Sequence, residues 1–317
     1  MIEGTMIPRT YASLACLLFV SYELQAAASD RAAASSASNL MRSVEALRPL
    51  HEKMRPPGPF DWLAQHKEEG QTFKQYLRSK PVTPRGERRI IYIQPIGDFD
   101  ESEKRIVKLT ADYMRRYFGL RVSIRNTIPL SSIPKRASRT HPSWGDRQIL
   151  TSYVLHKVLK PRLPGDAVAM IALTTSDLWP GKDWNFVFGS ASIRGRVGVW
   201  SMHRFGDPNA DREGFDQCLK RTVKTAVHET GHMLSMLHCT AYECCMCGSN
   251  HLQEADSRPL YLCPECVAKL CWACRLDPVE RYERLKEFTD KQGWEPESEF
   301  FERSIERIKG SARRMKE

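Results

Sequence analysis

The 317-residue sequence has no apolar run that approaches the ~20 residues a membrane-spanning helix requires, which excludes a multi-span membrane protein. It has no block of five or six like charges and no internal repeat, so neither a nucleic-acid arm nor a solenoid is indicated. With 41% hydrophobic and 27% charged residues it is not a disordered polymer, and its length allows one large domain or two small ones. The formal charge of +10 is spread along the chain, as on a generally basic solvated surface. Cysteine is scarce outside one region. Of ten cysteines, Cys239, Cys244, Cys245, Cys247, Cys263, Cys266, Cys271 and Cys274 are confined to positions 239–274. That density marks a metal-binding or disulfide-stapled module.

Arg9, the short apolar stretch 12–20 and Ala26-Ala27-Ala28 fit a secretory signal peptide over residues 1–28. Glu3, the single basic residue ahead of the stretch and polar 21–23 favour instead an ordinary cytoplasmic amino terminus. The chain is therefore exported (secreted or periplasmic) if 1–28 is a leader, and cytoplasmic otherwise. Residues 29–59, with Ala/Ser-rich 32–38 and Pro56-Pro57-Gly58-Pro59, are expected to be flexible, although Leu40, Val44 and Leu47 share a helical face.

Regular elements follow. Apolar residues at 60, 63, 73 and 77 suggest a helical cover. Ile90–Ile93 reads as a strand. Asp100 and Glu103 form a capping box for a helix carrying Ile106, Leu109, Tyr113 and Tyr117, which Gly119 stops. Residues 120–124 form a second strand, Ile149, Leu150, Tyr153, Val154 and Val158 a second helix, and 168–173 a third strand. Strands at 185–188, 191–193 and 197–200 precede a long helix from Phe215 toward Leu234, then the cysteine-rich segment and a terminal helix from about Pro278. The class is mixed α/β.

His228-Glu229-Thr230-Gly231-His232 lies on that long helix. Four residues turn an α-helix through about 400°, so both imidazoles leave one face and can share a metal, with Glu229 beside its water. At nine histidines in 317 positions such a match arises by chance in roughly one chain of fifty. The bland reading is a buried helix with two satisfied histidines. His238 alters the balance, because three imidazoles leave one coordination position open, as a catalytic zinc site requires. On a continued helix it would lie about 9 Å along the axis from His232, so the helix must end and the chain fold back.

These residues resemble the metzincin zinc peptidases, whose pattern is His-Glu-x-x-His-x-x-Gly-x-x-His followed by a methionine turn. More narrowly, His238-Cys239, Cys244-Cys245-Met246 and Cys263-Pro264-Glu265-Cys266 resemble the archaemetzincin family. So do 91–97, 184–189, 248–252 and 280–282, and the likeness covers roughly 60–290. It implies a metzincin-like fold: a twisted mixed sheet with an antiparallel edge strand, two backing helices, an active-site helix within 60–234, a cysteine-rich, zinc-stabilised carboxy-terminal subdomain over 235–290, and a helix or tail over 291–317.

It also implies a zinc metallopeptidase, aminopeptidase-like action being one option, with two zinc ions. His228, His232 and His238 would hold the catalytic zinc, Glu229 would be the general base, and Met246 the methionine-turn residue. Cys239, Cys244, Cys263 and Cys266 would hold a structural zinc, with two disulfides as the competing reading. Cys245, Cys247, Cys271 and Cys274 exceed the family pattern: a further disulfide, another metal site or free thiols. Asn185, Phe186, Val187, Phe188 and Gly189 are the candidate substrate-binding edge. The implied partner is a peptide or protein substrate, with no nucleic acid, no membrane anchor and a monomeric chain. One departure is Ser235 in place of the family glycine, which raises as a second reading a weak or inactive zinc protein that binds peptides through the cleft.

Overall fold

In the computed structural model, which describes residues 37, 40–182 and 184–314, the elements run in this order. They are α1 (Trp62–Gln65), α2 (Phe73–Arg78), β1 (Ile90–Ile96), α3 (Glu101–Phe118), β2 (Arg121–Ile124), β3 (Ser138–Thr140) and β4 (Arg147–Leu150). Next comes α4, a helical run in three pieces (Thr151–Tyr153, the π-helical Val154–Leu159 and Lys160–Arg162). Then follow β5 (Ala167–Thr174), β6 (Asp177–Trp179), β7 (Gly189–Ser192), β8 (Val197–Ser201), α5 (Arg212–Met233), α6 (Leu252–Ser257), α7 (Pro264–Cys274), α8 (Pro278–Gln292) and α9 (Glu295–Arg314). The region expected as a signal peptide, with Cys16, lies outside the described residues.

The central sheet has the order β2-β1-β5-β8-β7. Its first four strands are parallel, and β7 runs antiparallel along the edge. All eight residues of β5 are buried, as befits an interior parallel strand covered on both faces. Met170 and Ala172 of β5 and Val197 and Val199 of β8 share one core with Val154, Leu155 and Val158 of α4. On the other side α5 packs against β5, β7 and β8, and α3 packs against α5. α3 begins at the expected capping box, Asp100 accepting from Glu103 N–H at 2.8 Å while Glu103 accepts from Asp100 N–H at 2.9 Å. It ends at Gly119 with φ +60°.

Several elements differ from expectation. Ile149 and Leu150 belong to β4 of a small second sheet, β3-β4-β6, where they pair with Leu178 and Trp179; their spacing reads as helical because α4 starts at the next residue, Thr151. The cover over 60–77 is two short helices parted by a loop. The terminal helix is two, separated by left-handed Gly293. Residues 185–188 form no strand. Arg139 and Gln148 side chains donate to the Asn185 carbonyl at 3.1 and 2.8 Å, Val187 N–H donates to Leu178 O at 3.1 Å, and the strand begins only at Gly189.

Residues 52–54, expected within a flexible segment, are tied to the cysteine-rich region: Met54 N–H donates to Ala241 O and Glu243 N–H to Glu52 O. Val44 and Leu47 are fully buried. Of the described residues, 43–314 form one compact unit that includes the cysteine-rich segment. Arg281 on α8, fully buried, joins it to α3 by donating to Tyr117 O at 3.0 Å and stacking 4.2 Å from that ring's centroid.

A Cβ added at Gly119 would lie 2.2 Å from Leu276 Cδ2, on backbone that already favours glycine. Gly119→Ala is expected to lose about 2–4 kcal/mol of stability, read from the shift in denaturant midpoint.

Candidate active site

The face of α5 that meets the cleft carries His228, Glu229 and His232. The helix then stops in two steps. Ser235 takes a left-handed conformation, φ +68°, and two backbone bonds close the end: Ser235 N–H to His232 O at 2.8 Å and Met236 N–H to Gly231 O at 3.0 Å. This pair defines a Schellman cap, the position at which glycine is usual. Ser235 occupies it and gains a compensation glycine lacks, since its Oγ accepts from Val82 N–H at 3.0 Å. The departure from the family glycine therefore leaves the turn intact.

The chain folds back as required. The His238 ring lies 5.3 Å from that of His228 and 4.8 Å from that of His232, centroid to centroid. The Nε2 atoms of His228 and His232 are 3.0 Å apart. Two ligands of a tetrahedral zinc with Zn–N near 2.05 Å stand about 3.3 Å apart, so the donor set fits that ion.

Each imidazole is also held from behind. His228 Nδ1 is 2.9 Å from Cys245 O, His232 Nδ1 is 2.7 Å from Met236 O, and His238 Nδ1 is 3.0 Å from both Glu68 carboxylate oxygens. A carbonyl can only accept, so Nδ1 carries the proton in His228 and His232, and Nε2 is left as the ligand atom. Burial, then the neighbouring imidazoles, pushes the pKa of His228 well down and that of His232 to about 4, so both are neutral near pH 7.

Glu229 is 7% exposed, and burial alone pushes its carboxyl up to about 8. It packs on the edge strand: a Cβ built at Gly189 would lie 2.6 Å from Glu229 Oε1. Met246, buried, lies under the helix between the two histidines, its Sδ 2.7 Å from a Cβ built at Gly231. The cleft, about 700 Å³, is lined by His228, Glu229, His232 and His238, by Gly189, Ser190 and Ala191 of the edge strand, and by Trp62, Trp184 and Phe186. Of the expected substrate edge, Phe186, Val187, Phe188 and Gly189 line the cleft. Asn185 is not among its lining residues, its carbonyl being held by the second sheet.

The four thiols of Cys239, Cys244, Cys263 and Cys266 lie within 4.8 Å of one another, and Cys239 Sγ is 3.6 Å from Cys263 Sγ. That is close to the ~3.8 Å edge of a tetrahedral zinc–thiolate site and far from a ~2.05 Å disulfide. All nine described cysteines are free. Cys245, Cys247, Cys271 and Cys274 do not assemble into a further group of metal ligands. Cys245 and Cys247 turn to the backbone, their Sγ atoms 3.8 Å from Lys224 O and 3.3 Å from Tyr242 O. Asp61, His251 and Glu254 also converge. Glu254, however, accepts from Trp62 N–H, Asn250 N–H and Arg258, which makes it a latch between segments.

Sequence reading missed Glu68. A single glutamate in a polar stretch offers no periodic signal, and its contact with His238 spans 170 positions.

Residues 154–271 match the family model described as peptidase family M54. The chain is 35% identical to archaemetzincin-2 of Homo sapiens, the match covering 78% of each chain. It is 31% identical to archaemetzincin-1 of Homo sapiens, over 73% of this chain and 52% of that one. A crystal structure of archaemetzincin from Methanopyrus kandleri superposes with a TM-score of 0.47 at 26% identity, covering 61% of this chain and 99% of that one.

The Ser235 turn sets up a two-variant test. Ser235→Ala keeps the left-handed strain and loses the bond to Val82, and is expected to cost about 1 kcal/mol. Ser235→Gly loses that bond but relieves strain worth about 1 kcal/mol, and should stay near wild type in the same denaturation experiment.

Proposed function

Because the chain belongs to the archaemetzincins, peptidase family M54, and so is a zinc metallopeptidase, we propose that it hydrolyses peptide bonds at the three-histidine centre, with Glu229 as the general base. The observation that carries this reading is the return of His238, which sets a third imidazole beside the helical pair and leaves one side of the triad open to the cleft. His228, His232 and His238 would hold a zinc ion, which would supply Lewis acidity to a water and to the scissile carbonyl.

The protein's own groups do the rest. Glu229, in the cleft between helix and edge strand, takes the proton from the attacking water and hands it to the departing amine. Burial favours the protonated carboxyl and so strengthens the pull of the Glu229 carboxylate on the first proton. β7, whose outer edge is not paired among the described residues, offers backbone groups for an extended peptide to run beside it. Its sequence Gly-Ser-Ala-Ser keeps bulk away from that edge. Cys239, Cys244, Cys263 and Cys266 would hold a second zinc, which would fasten the chain directly after His238. Aminopeptidase-like action on short peptides is one mode that the likeness to the family implies.

Three outcomes follow. Glu229→Gln should lower hydrolysis of a peptide library by roughly 10²–10⁴-fold at unchanged zinc content, and equal rates would remove the enzyme reading. Gly189→Ala, which forces the Glu229 carboxylate aside, should cost about 10–100-fold in kcat without loss of zinc. Metal analysis of the purified protein should find two zinc atoms per chain. A single zinc together with two disulfides would overturn the four-thiolate assignment.

A further inference from the structure

The loop and helix that follow α1 form a strap across the turn that carries the third histidine. Tyr76 OH donates to Leu234 O at 2.8 Å. The Gln71 side chain grips both sides of the exit from the cap, donating to Ser235 O and accepting from Leu237 N–H, each at 3.3 Å. Thr240 donates to Glu69 O at 3.3 Å. Between these anchors Gly70 is left-handed, and a Cβ on it would lie 2.4 Å from Thr240 Oγ1. The backbone directly after Glu68 is thus fixed to the segment that bears His238.

We propose that Glu68 is a positioning residue of the metal centre: by accepting the Nδ1–H of His238 it fixes the tautomer and ring plane that present Nε2 to the ion. The proposal rests on the reading above that His228, His232 and His238 hold the catalytic ion. Three observations support it. His228 and His232 receive their Nδ1 acceptors from backbone close to the site, whereas His238, beyond the helix, has only a side chain for this purpose. Both Glu68 oxygens stand at 3.0 Å from the same nitrogen, and among the described residues Glu68 pairs with no lysine or arginine. The Trp62 ring meets that of His238 edge-on at 5.2 Å and limits its rotation.

A surface carboxylate that merely met a histidine would contribute ~0–1 kcal/mol and would not discriminate between metal-loaded and metal-free protein. A carboxylate behind a ligand imidazole raises the basicity of the ligating nitrogen, and its loss typically costs 10–100-fold in metal affinity.

The test uses the full chain and its Glu68→Ala, Glu68→Gln and His238→Ala variants. Zinc affinity at the histidine site is read by competition with a chelator, the thiolate zinc serving as an internal control. The ligand field is read from the absorption of cobalt(II) loaded in place of that zinc. Glu68→Ala should weaken metal binding 10–100-fold and shift the cobalt bands, with the melting of the metal-free protein unchanged. Glu68→Gln, which keeps an acceptor oxygen, should recover part of the loss. Wild-type affinity and an unshifted cobalt spectrum in Glu68→Ala, while His238→Ala loses the ion, would overturn the role of Glu68 alone. Undiminished binding in His238→Ala would overturn the three-histidine centre and this proposal with it.

Discussion

One left-handed residue governs the geometry of this molecule. Were α5 to continue past Met233, His238 would be carried about 9 Å along the axis from His232 and onto another face. Ser235 prevents this by closing a Schellman cap, after which three residues suffice to bring the third imidazole within 5 Å of His232. The cost of a left-handed serine, ~1 kcal/mol, is offset by a hydrogen bond of similar worth from Val82. The turn is also gripped from outside, by Tyr76 and Gln71. Ligand geometry thus depends on residues more than 150 positions earlier in the chain.

The segment that follows serves several sites in alternation. His238 points to one proposed zinc and Cys239 to the other. Cys244 contributes a thiol, the Cys245 carbonyl orients His228, and Met246 fills the space beneath Gly231. A strand of backbone so occupied cannot shift for one purpose without disturbing the others. The four-cysteine cluster, though buried away from the cleft, therefore bears directly on how His228 and His238 are held. Cys239 N–H bonded to Met246 O at 2.8 Å ties the two ends of this stretch together.

Legibility followed the range of the interaction. The paired histidines could be read because helix geometry is local, and the capping box of α3 for the same reason. The four-cysteine cluster was legible as a metal or disulfide module, but the choice between them needed sulfur positions. Ile149 and Leu150 misled because an apolar period that fits a helix also fits the end of a strand running into one. Residues 185–188 misled because their backbone partners are scattered, the side chains of Arg139 and Gln148 on Asn185 O, Leu178 O on Val187 N–H and Ser201 N–H on Phe188 O, and no alternation within the segment reveals them. Glu68 was invisible for a stronger reason: its significance lies wholly in a contact across 170 positions.

The edge of the sheet shows how the fold constrains the chemistry proposed for it. Glu229 reaches the cleft only because Gly189 has no side chain, and Gly189 is the first residue of the strand along which an extended peptide would lie. The group proposed to carry the proton and the strand proposed to set the register of the substrate therefore touch. An extended substrate paired with β7 would pass over the carboxylate with its backbone aligned, so that binding and proton transfer draw on the same few atoms. The aromatic residues stand outside this line: Trp184 and Phe186 line the cleft beyond the strand, where side chains of a bound peptide rather than its backbone would meet them. Small residues next to the reacting bond and large ones away from it let a peptide be held by its backbone while room is kept beside Glu229 for the attacking water.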